Sequence, residues 1–465
     1  MADNESLLRY FWNDLTNKNL IVIKFIWFTI LFGAVVIYPF LSLHMTSLGL
    51  SERDVGIASS LSAVITIISP FMFGFVADKI GNFKLLVSAL SFVTGGVCML
   101  FTLIPSTASS TIIPNVNDNS TTNVSQWHQD IDSLLPEDND NYSTTFWFYL
   151  IVRGMLVVSQ GGAYTLYDGS VMSYMQERNL DYGMQKLWGT LAVGISAFAG
   201  GWLRDIYGMS VVFFVSAAFQ FITSAALLFL DLEFKKSSKC LWKEIFTQFF
   251  KAEIIILMLT LTAVGALIGY IETYLYIFLF GMGANNTLVG LTISLGVPFE
   301  IIIQLCATAI VAKIGHVNAI LIGVFSFFIR TLGLSFLTNP WWVLPFEILE
   351  AATGGLFMTA ALMYCTQLVS LSSLASFRGL IGVAYWGIGK LLGSSIGTVL
   401  REDLGDRNTF RVMSGFALAT TIIIPIAHQL VKQYRSQQSP EVISQKLATE
   451  NETGKGIDNP ALVDR

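Results

Sequence analysis

Six ionisable residues interrupt otherwise apolar stretches in the second half of this 465-residue chain: Glu272, Glu300, Arg330, Glu347, Glu350 and Lys390. The first half offers Arg153 in a comparable setting and Asp168 near an inner helix end. A charge at the centre of a bilayer costs on the order of 3 kcal/mol or more, so such residues face a cavity and a partner. Glu347 and Glu350 are three apart and share a helix face. Two carboxylates that close disfavour double ionisation, which suits one of them to taking up and releasing a proton.

The sharpest reading is a coupled charge network lining a cavity, made of Glu272, Glu300 and Glu350 with Arg330 and Lys390. One carboxylate would bind a proton on the outer side and lose it on the inner, biasing alternating access. The competing reading is a set of fixed ion pairs gluing helices, Lys390 with a carboxylate among them. At about 1.5 Å per residue, Glu300 and Lys390 fall near mid-helix and Glu350 slightly outside it, with Glu272 and Arg330 in the outer half. Glu347, two turns from its external helix end, is expected at the rim with a snorkelling carboxylate.

Arg153 is the mid-helix base of the first half and the candidate contact for an anionic or hydroxyl-rich substrate. Its alternative role is an anchor of the fourth helix to neighbouring carbonyls. Tyr38 and Tyr274 are substrate candidates for stacking on a sugar or base, with Tyr164, Tyr270 and Trp386 as further examples. Aromatics make up 13% of the chain, and most of them must serve packing or the interface belt.

The elements that position these residues follow from composition. Hydrophobic residues make up 53% of the chain and charged residues only 13%, about half the charged fraction of a soluble protein. Twelve apolar runs begin near residues 20, 54, 84, 146, 185, 209, 254, 287, 317, 341, 378 and 409. About twenty residues span the hydrocarbon core as a helix, and the runs are continuous rather than alternating, which excludes a β-barrel. The chain is therefore an all-α membrane protein with twelve transmembrane helices.

A constant offset carries Lys79-Ile80-Gly81 onto Lys313-Ile314-Gly315, Gly49 onto Gly283, Val55 onto Val289, Gly56 onto Gly290 and Ser60 onto Ser294. A gapless offset over that length makes the chain two related halves, hence two six-helix bundles. Parallel repeats of this kind mark a large class of secondary transporters. The organisation reads as a cytoplasmic N-terminus over 1–19 and an N-terminal bundle over 20–230 with an external loop at 105–145. A central cytoplasmic linker over 231–252 leads to a C-terminal bundle over 253–432 and a disordered cytoplasmic tail over 433–465. The linker mixes Lys235, Lys236, Lys239 and Lys243 with Trp242, Phe246, Phe249 and Phe250, the pattern of an amphipathic helix on the inner leaflet or of a solvated tether.

Orientation follows from the basic residues. With the N-terminus in the cytoplasm, only Arg53, Arg204, Arg401, Arg407 and Arg411 fall outside, and loop 105–145 has no Lys or Arg. The positive-inside rule then puts both termini in the cytoplasm. The same loop carries N-glycosylation sequons at Asn119, Asn123 and Asn141. A further one at Asn285 lies too near the bilayer for efficient glycosylation. Cys98, Cys306 and Cys365 lie in helices and Cys240 in the linker, so no extracellular disulfide framework is expected. Residues 1–19 are polar, and the first helix is expected to serve as the targeting signal. The plasma membrane is the expected location; Asp3 followed by Leu7-Leu8 matches an acidic dileucine pattern that would direct the chain to endolysosomal membranes.

Between the second and third helices stands Gly74-Phe75-Val76-Ala77-Asp78-Lys79-Ile80-Gly81-Asn82-Phe83-Lys84. Gly74 and Gly81 allow helix ends to approach and turn tightly. Asp78 is placed to meet a neighbouring helix N-terminus or a basic residue, a latch between bundles rather than a binding site; the alternative is a topogenic turn. Its repeat counterpart is Ala312, so the latch belongs to the first half.

This segment resembles the loop motif of the major facilitator superfamily at Gly74, Asp78, Lys79, Gly81 and Lys84, and departs from it at Asn82. Glu272-Thr273-Tyr274-Leu275, Pro340-Trp341-Trp342-Val343-Leu344-Pro345-Phe346-Glu347, Arg378-Gly379-Leu380 and Gly387-x-Gly389-Lys390 look like the branch of major facilitator superfamily domain-containing protein 6. So does Tyr182-Gly183-x-x-Lys186-Leu187-Trp188-Gly189. That branch is similar to the lactose-permease and nucleoside/proton symporter group. The resemblance implies the twelve-helix, two-bundle fold and a transport activity.

The function expected is secondary active transport of a small polar organic solute, as proton-coupled symport. Its alternatives are a uniporter or antiporter on the same scaffold, or a non-transporting receptor using the glycosylated loop. No metal-ligand spacing, phosphate loop or nucleophile–His pairing is present, so the chain is read as neither enzyme nor ATP-driven pump. Its expected partners are the solute, protons and lipid, with no cofactor, metal or nucleic acid, and it is expected to act as a monomer.

Overall fold

The computed structural model describes residues 18–80, 83–107, 139–178, 180, 182–230, 242–370 and 373–452. Every regular element among the described residues is helical. In the first half, α1 runs Lys18–Val35 and continues through the turn Tyr38–Phe40 into Leu41–Ser47. It is followed by α2 (Glu52–Ile80), α3 (Phe83–Leu100), α4 (Asn139–Glu177), α5 (Tyr182–Tyr207) and α6 (Met209–Leu228). The second half comprises α7 (Ala252–Gly281), α8 (Asn286–Ile314), α9 (His316–Ser335), α10, α11 and α12 (Asp406–Glu452). The pieces of α10 are Pro340–Val343, Leu344–Glu347, Ala351–Leu356 and Phe357–Leu368; those of α11 are Leu374–Gly382, Val383–Gly389 and Lys390–Leu404. A short helix, Trp242–Phe249, precedes α7.

The breaks in these helices have local causes. Pro39 lacks the N–H that a continuous α1 would need, and the chain tightens there into a 3₁₀ turn that presents Tyr38. In α10 and α11 the segments Ala351–Leu356 and Val383–Gly389 are wound as π-helix. Glu350 caps the first and Lys390 follows the second, so both charges sit where the helical register shifts.

Nine of the helices among the described residues are long and apolar enough to cross a membrane; α2, α5 and α11 are not among them. All three lie on the seam between the halves, where Ser and Gly lower their hydropathy. Within the first half, α1 packs on α5 and α6, α3 on α6, and α2 on α4; within the second, α7 packs on α11 and α9 on α12. The halves meet where α5 crosses α8 and where α2 crosses α11. At the first crossing Gly290 lies on the carbonyl of Ala197 and Gly201 on that of Asn286, too close for any side chain.

A second constant offset relates α5 to α11: Gly200 falls on Gly397, Arg204 on Arg401, Asp205 on Glu402 and Gly208 on Gly405. Gly208 and Gly405 both turn the chain into the next helix at positive φ, 82° and 76°, which a side chain would strain. The buried core forms one large cluster through both halves and a second within the first half around Trp27, Tyr167 and Met175.

The C-terminal expectation differs from what is seen. The backbone of α12 stays helical to Glu452, well past the 433 boundary. Ten of residues 433–452 are the good helix formers Gln, Glu, Lys, Leu and Ala, and the helix runs on through Pro440 without an apolar face. Residues 453–465 lie outside the described residues, as do 231–241 of the linker with Cys240.

Candidate functional site: two ion clusters and a lone carboxylate

The five residues expected as one network fall into separate groups. In the first, Lys390 of α11 forms an ion pair with Glu272 of α7, Nζ to Oε2 2.5 Å. Tyr38 of α1 donates its hydroxyl to the same Oε2 at 2.8 Å and accepts a hydrogen bond from Lys390 Nζ. Lys390 Nζ also lies 5.0 Å from the Tyr38 ring centroid and 6.0 Å from that of Trp386, within range of cation–π attraction. Three elements from both halves thus converge on one carboxylate oxygen.

In the second group, Arg330 of α9 pairs with Glu347 of α10 at 2.5 Å and stands 3.6 Å from Glu350. The Arg330 and Glu347 side chains are 3% and 2% exposed, whereas Glu350 is 30% exposed. The rim position expected for Glu347 is therefore a correction. The helical turn Leu344–Glu347 points the carboxylate inward, and a buried guanidinium offers it more than lipid headgroups do. Glu350, one turn further, keeps an open side.

Glu300 of α8 stands apart. Its Oε1 accepts a hydrogen bond from Gln304 Nε2 at 2.9 Å, and its Cγ lies by the bare backbone of Gly355 in the π-wound part of α10. No ion pair to Glu300 occurs among the described residues. Tyr385 lies within electrostatic reach of Glu272, Glu300, Arg330 and Glu350, and Tyr276 within reach of Glu272, Arg330, Glu347 and Glu350. Both tyrosines are buried between the clusters.

Arg153 is turned toward its own half. Nε donates to Ser62 Oγ at 3.1 Å, Nη2 to Ser59 Oγ at 3.2 Å, and Nη1 to Met45 Sδ at 3.5 Å, tying α4 to α2 and α1. The partners are hydroxyls and a thioether rather than the carbonyls expected of an anchor. Tyr274 is 1% exposed, hydrogen-bonded to Thr398 and 5.0 Å beneath Arg401, and presents no free face to a solute.

Of the latch segment, Gly74, Asp78 and Lys79 lie on the helical backbone of α2, their side chains outside the described residues, as is Gly81. Lys84 is half-buried in the first turn of α3. Asn119 and Asn123 also lie outside the described residues; Asn141 is exposed in the first turn of α4.

Two further clusters were not expected. At the end of the first half nearer the termini, Lys186 of α5 pairs with Asp168 of α4 at 3.4 Å, and Tyr182 donates to the same Asp168 oxygen. The rings of Trp27, Tyr164 and Tyr182 surround Lys186 at 5.6, 5.9 and 5.6 Å. At the end of the bundle opposite both termini, here the distal end, charged residues clasp the halves together. Arg401 of α11 forms an ion pair with Glu52 of α2 at 2.5 Å and another with Asp406. Arg53 approaches Glu402 at 4.0 Å. The signal for this clasp is in the sequence, as the Arg-Asp and Arg-Glu pairs that the α5/α11 offset superposes.

The sequence matches the model of the MFS_1 like family over residues 20–412. It is 24% identical over 344 residues to an uncharacterized transporter, YwbF, of Bacillus subtilis (strain 168), across 72% of this chain and 75% of that protein. A maltose permease of Geobacillus stearothermophilus is 21% identical over 223 residues, 47% of this chain and 56% of that one. Among solved structures, the nucleoside transporter NupG superposes with a TM-score of 0.70 at 13% identity, covering 88% of this chain and 99% of that chain. A bacterial homolog of the human lysosomal transporter Spinster superposes with a TM-score of 0.61 at 13% identity, covering 89% and 95%.

Proposed function

Because the chain belongs to the MFS_1 like family and is a membrane transporter of the major facilitator type, we propose that it carries a small polar organic solute by proton-coupled symport. The observation behind this reading is an imbalance of charge. Glu272 and Glu347 each hold a cation at 2.5 Å, while Glu350 shares the already bonded Arg330 at 3.6 Å and Glu300, with Lys186 within electrostatic reach, has no ion pair among the described residues and accepts from Gln304. A carboxylate without a cation in a low-dielectric interior holds a proton readily and gives it up when its surroundings become wetter. Glu300 and Glu350 are therefore the proton carriers, and the Tyr38–Glu272–Lys390 and Arg330–Glu347 groups hold the helices around them.

The basic residues assign the termini to the cytoplasm, so the distal end faces outside and Asn119 and Asn123 are open to glycosylation. Asp78 acts as the inner latch. A solute screen in reconstituted vesicles, with and without an imposed pH gradient, tests the reading. Glu300→Gln and Glu350→Gln are each expected to abolish gradient-driven accumulation. Undiminished accumulation in both variants would overturn it.

A further inference from the structure

The distal clasp is built twice, at positions that the repeat makes equivalent, with different chemistry in each copy. The offset that carries Tyr38 onto Glu272 also carries Glu52 onto Asn286 and Arg53 onto Thr287, while Arg401 and Glu402 correspond to Arg204 and Asp205. At the α2/α11 seam the contacts are ionic, Arg401 with Glu52 and Arg53 with Glu402. At the α5/α8 seam Asn286 carries no charge for Arg204, which instead lies 5.6 Å from the Phe40 ring and 5.9 Å from that of Phe280.

Asp205 takes over there. One oxygen accepts from the backbone N–H and side-chain Nδ2 of Asn286 at 3.1 and 2.7 Å. The other accepts from the backbone N–H and hydroxyl of Thr287 at 2.7 and 2.5 Å. These amides are the first two of α8, which have no partner inside their own helix. A carboxylate is favoured at that end by the helix dipole as well. Deeper along the seam, Ser294 donates to the carbonyl of Gly194 at 2.5 Å, and Gly290 and Gly201 let the two backbones touch.

We propose that Asp205 is the latch of the distal gate: its carboxylate, seated on the N-terminus of α8, keeps the outer entrance shut, and its release opens the path from that side. Asp205 is exposed and Asn286 and Thr287 half-buried, so water can replace these bonds when the carboxylate leaves α8, and the latch is reversible. Four donors meet on this one exposed carboxylate, whereas the α2/α11 seam rests on the Arg401–Glu52 ion pair at 2.5 Å, the Arg53–Glu402 pair at 4.0 Å being too exposed to contribute much. The inference rests on the transport reading only in requiring that the distal end open at all.

The test reads opening without any solute or proton gradient. In a background lacking the four native cysteines, Ser294→Cys places a thiol beneath the latch, and its labelling by a membrane-impermeant maleimide is followed from each face. Adding Asp205→Ala is expected to raise the labelling rate from the face opposite the termini by about tenfold, the scale of losing charge-assisted hydrogen bonds. Thr287→Val, which removes one donor and leaves the fold's charges alone, is expected to raise it less. Should Asp205→Ala fail to accumulate in the membrane, Thr287→Val decides alone. An unchanged labelling rate in the variants obtained overturns the latch. That result leaves the proton-coupling reading standing, and loss of that reading leaves this one untouched.

Discussion

Tyr38 and Glu272 are separated by 234 positions, the offset of the internal repeat, and their side chains touch: the tyrosine hydroxyl donates to Glu272 Oε2 at 2.8 Å. Equivalent residues of two related halves can meet only near the axis that relates them. The Tyr38–Glu272–Lys390 group is thus a seam between the halves rather than a feature of the second half alone. A movement of one bundle against the other acts on this contact directly, because it joins the two.

The Glu272–Lys390 pair is expected to behave as a unit. Lys390→Met or Glu272→Gln alone leaves a partly buried charge uncompensated and should cost about 3 kcal/mol. The double variant should recover most of that loss. Thermal melting of the purified protein through a double-mutant cycle measures it, and additive losses would show that the pair is not coupled.

Glu347 and Glu350, three residues apart, should separate stability from transport. Glu347→Gln strips Arg330 of its 2.5 Å partner in a buried site and is expected to lower stability by about 3–5 kcal/mol. Glu350→Gln should leave melting nearly unchanged while ending gradient-driven uptake. Equal effects of the two on melting would refute this division.

Arg153 is expected to act on folding rather than affinity. Arg153→Met removes its links to Ser59, Ser62 and Met45 and should destabilise by about 2–4 kcal/mol, since bonds to charged groups are worth more than neutral ones. Any uptake that survives should keep its KM. A raised KM at unchanged stability would make Arg153 a substrate contact instead.

Gly290→Val should prevent the distal end from closing. A side chain there runs into the carbonyl of Ala197 on α5. Accumulation of the protein in the membrane should be normal, with transport reduced at least about tenfold, because one of the two end states is sterically removed. Transport at the original rate would mean that the two backbones need not approach this closely during the cycle.

Asn285 should remain unglycosylated despite its sequon. Its Oδ1 accepts the N–H of Leu288 as the N-cap of α8, and the sequon's Thr287 hydroxyl is held by Asp205. Glycosidase treatment should shift the electrophoretic mobility of the full chain, and Asn119→Gln and Asn123→Gln should each shorten that shift. Asn285→Gln should leave it unchanged; a shortened shift would show that the cap is open to the glycosylation machinery.

Much of this protein is set by sequence because lipid leaves the backbone few choices. Without water every N–H and C=O must be paired inside its own segment, so a long apolar run is a helix whatever its neighbours do. The nine most apolar spans follow from that local rule, the paired halves are legible in the repeat offset, and the inventory of charges within the apolar runs is read directly from the sequence. Which charge meets which does not. Glu347 and Glu350 differ by three residues and about one turn, yet one is sealed against Arg330 and the other is open, because the rotation of α10 is set by packing on α9 and by its π-wound segment. Asp205 and Glu402 occupy equivalent places, each beside the first turn of a helix of the other half, and it is the seating of Asp205 on the Asn286 and Thr287 amides that makes it a helix cap. Partner choice over distances of a few ångströms depends on how whole helices are turned and seated, and that is a property of the assembled bundle rather than of any stretch of chain.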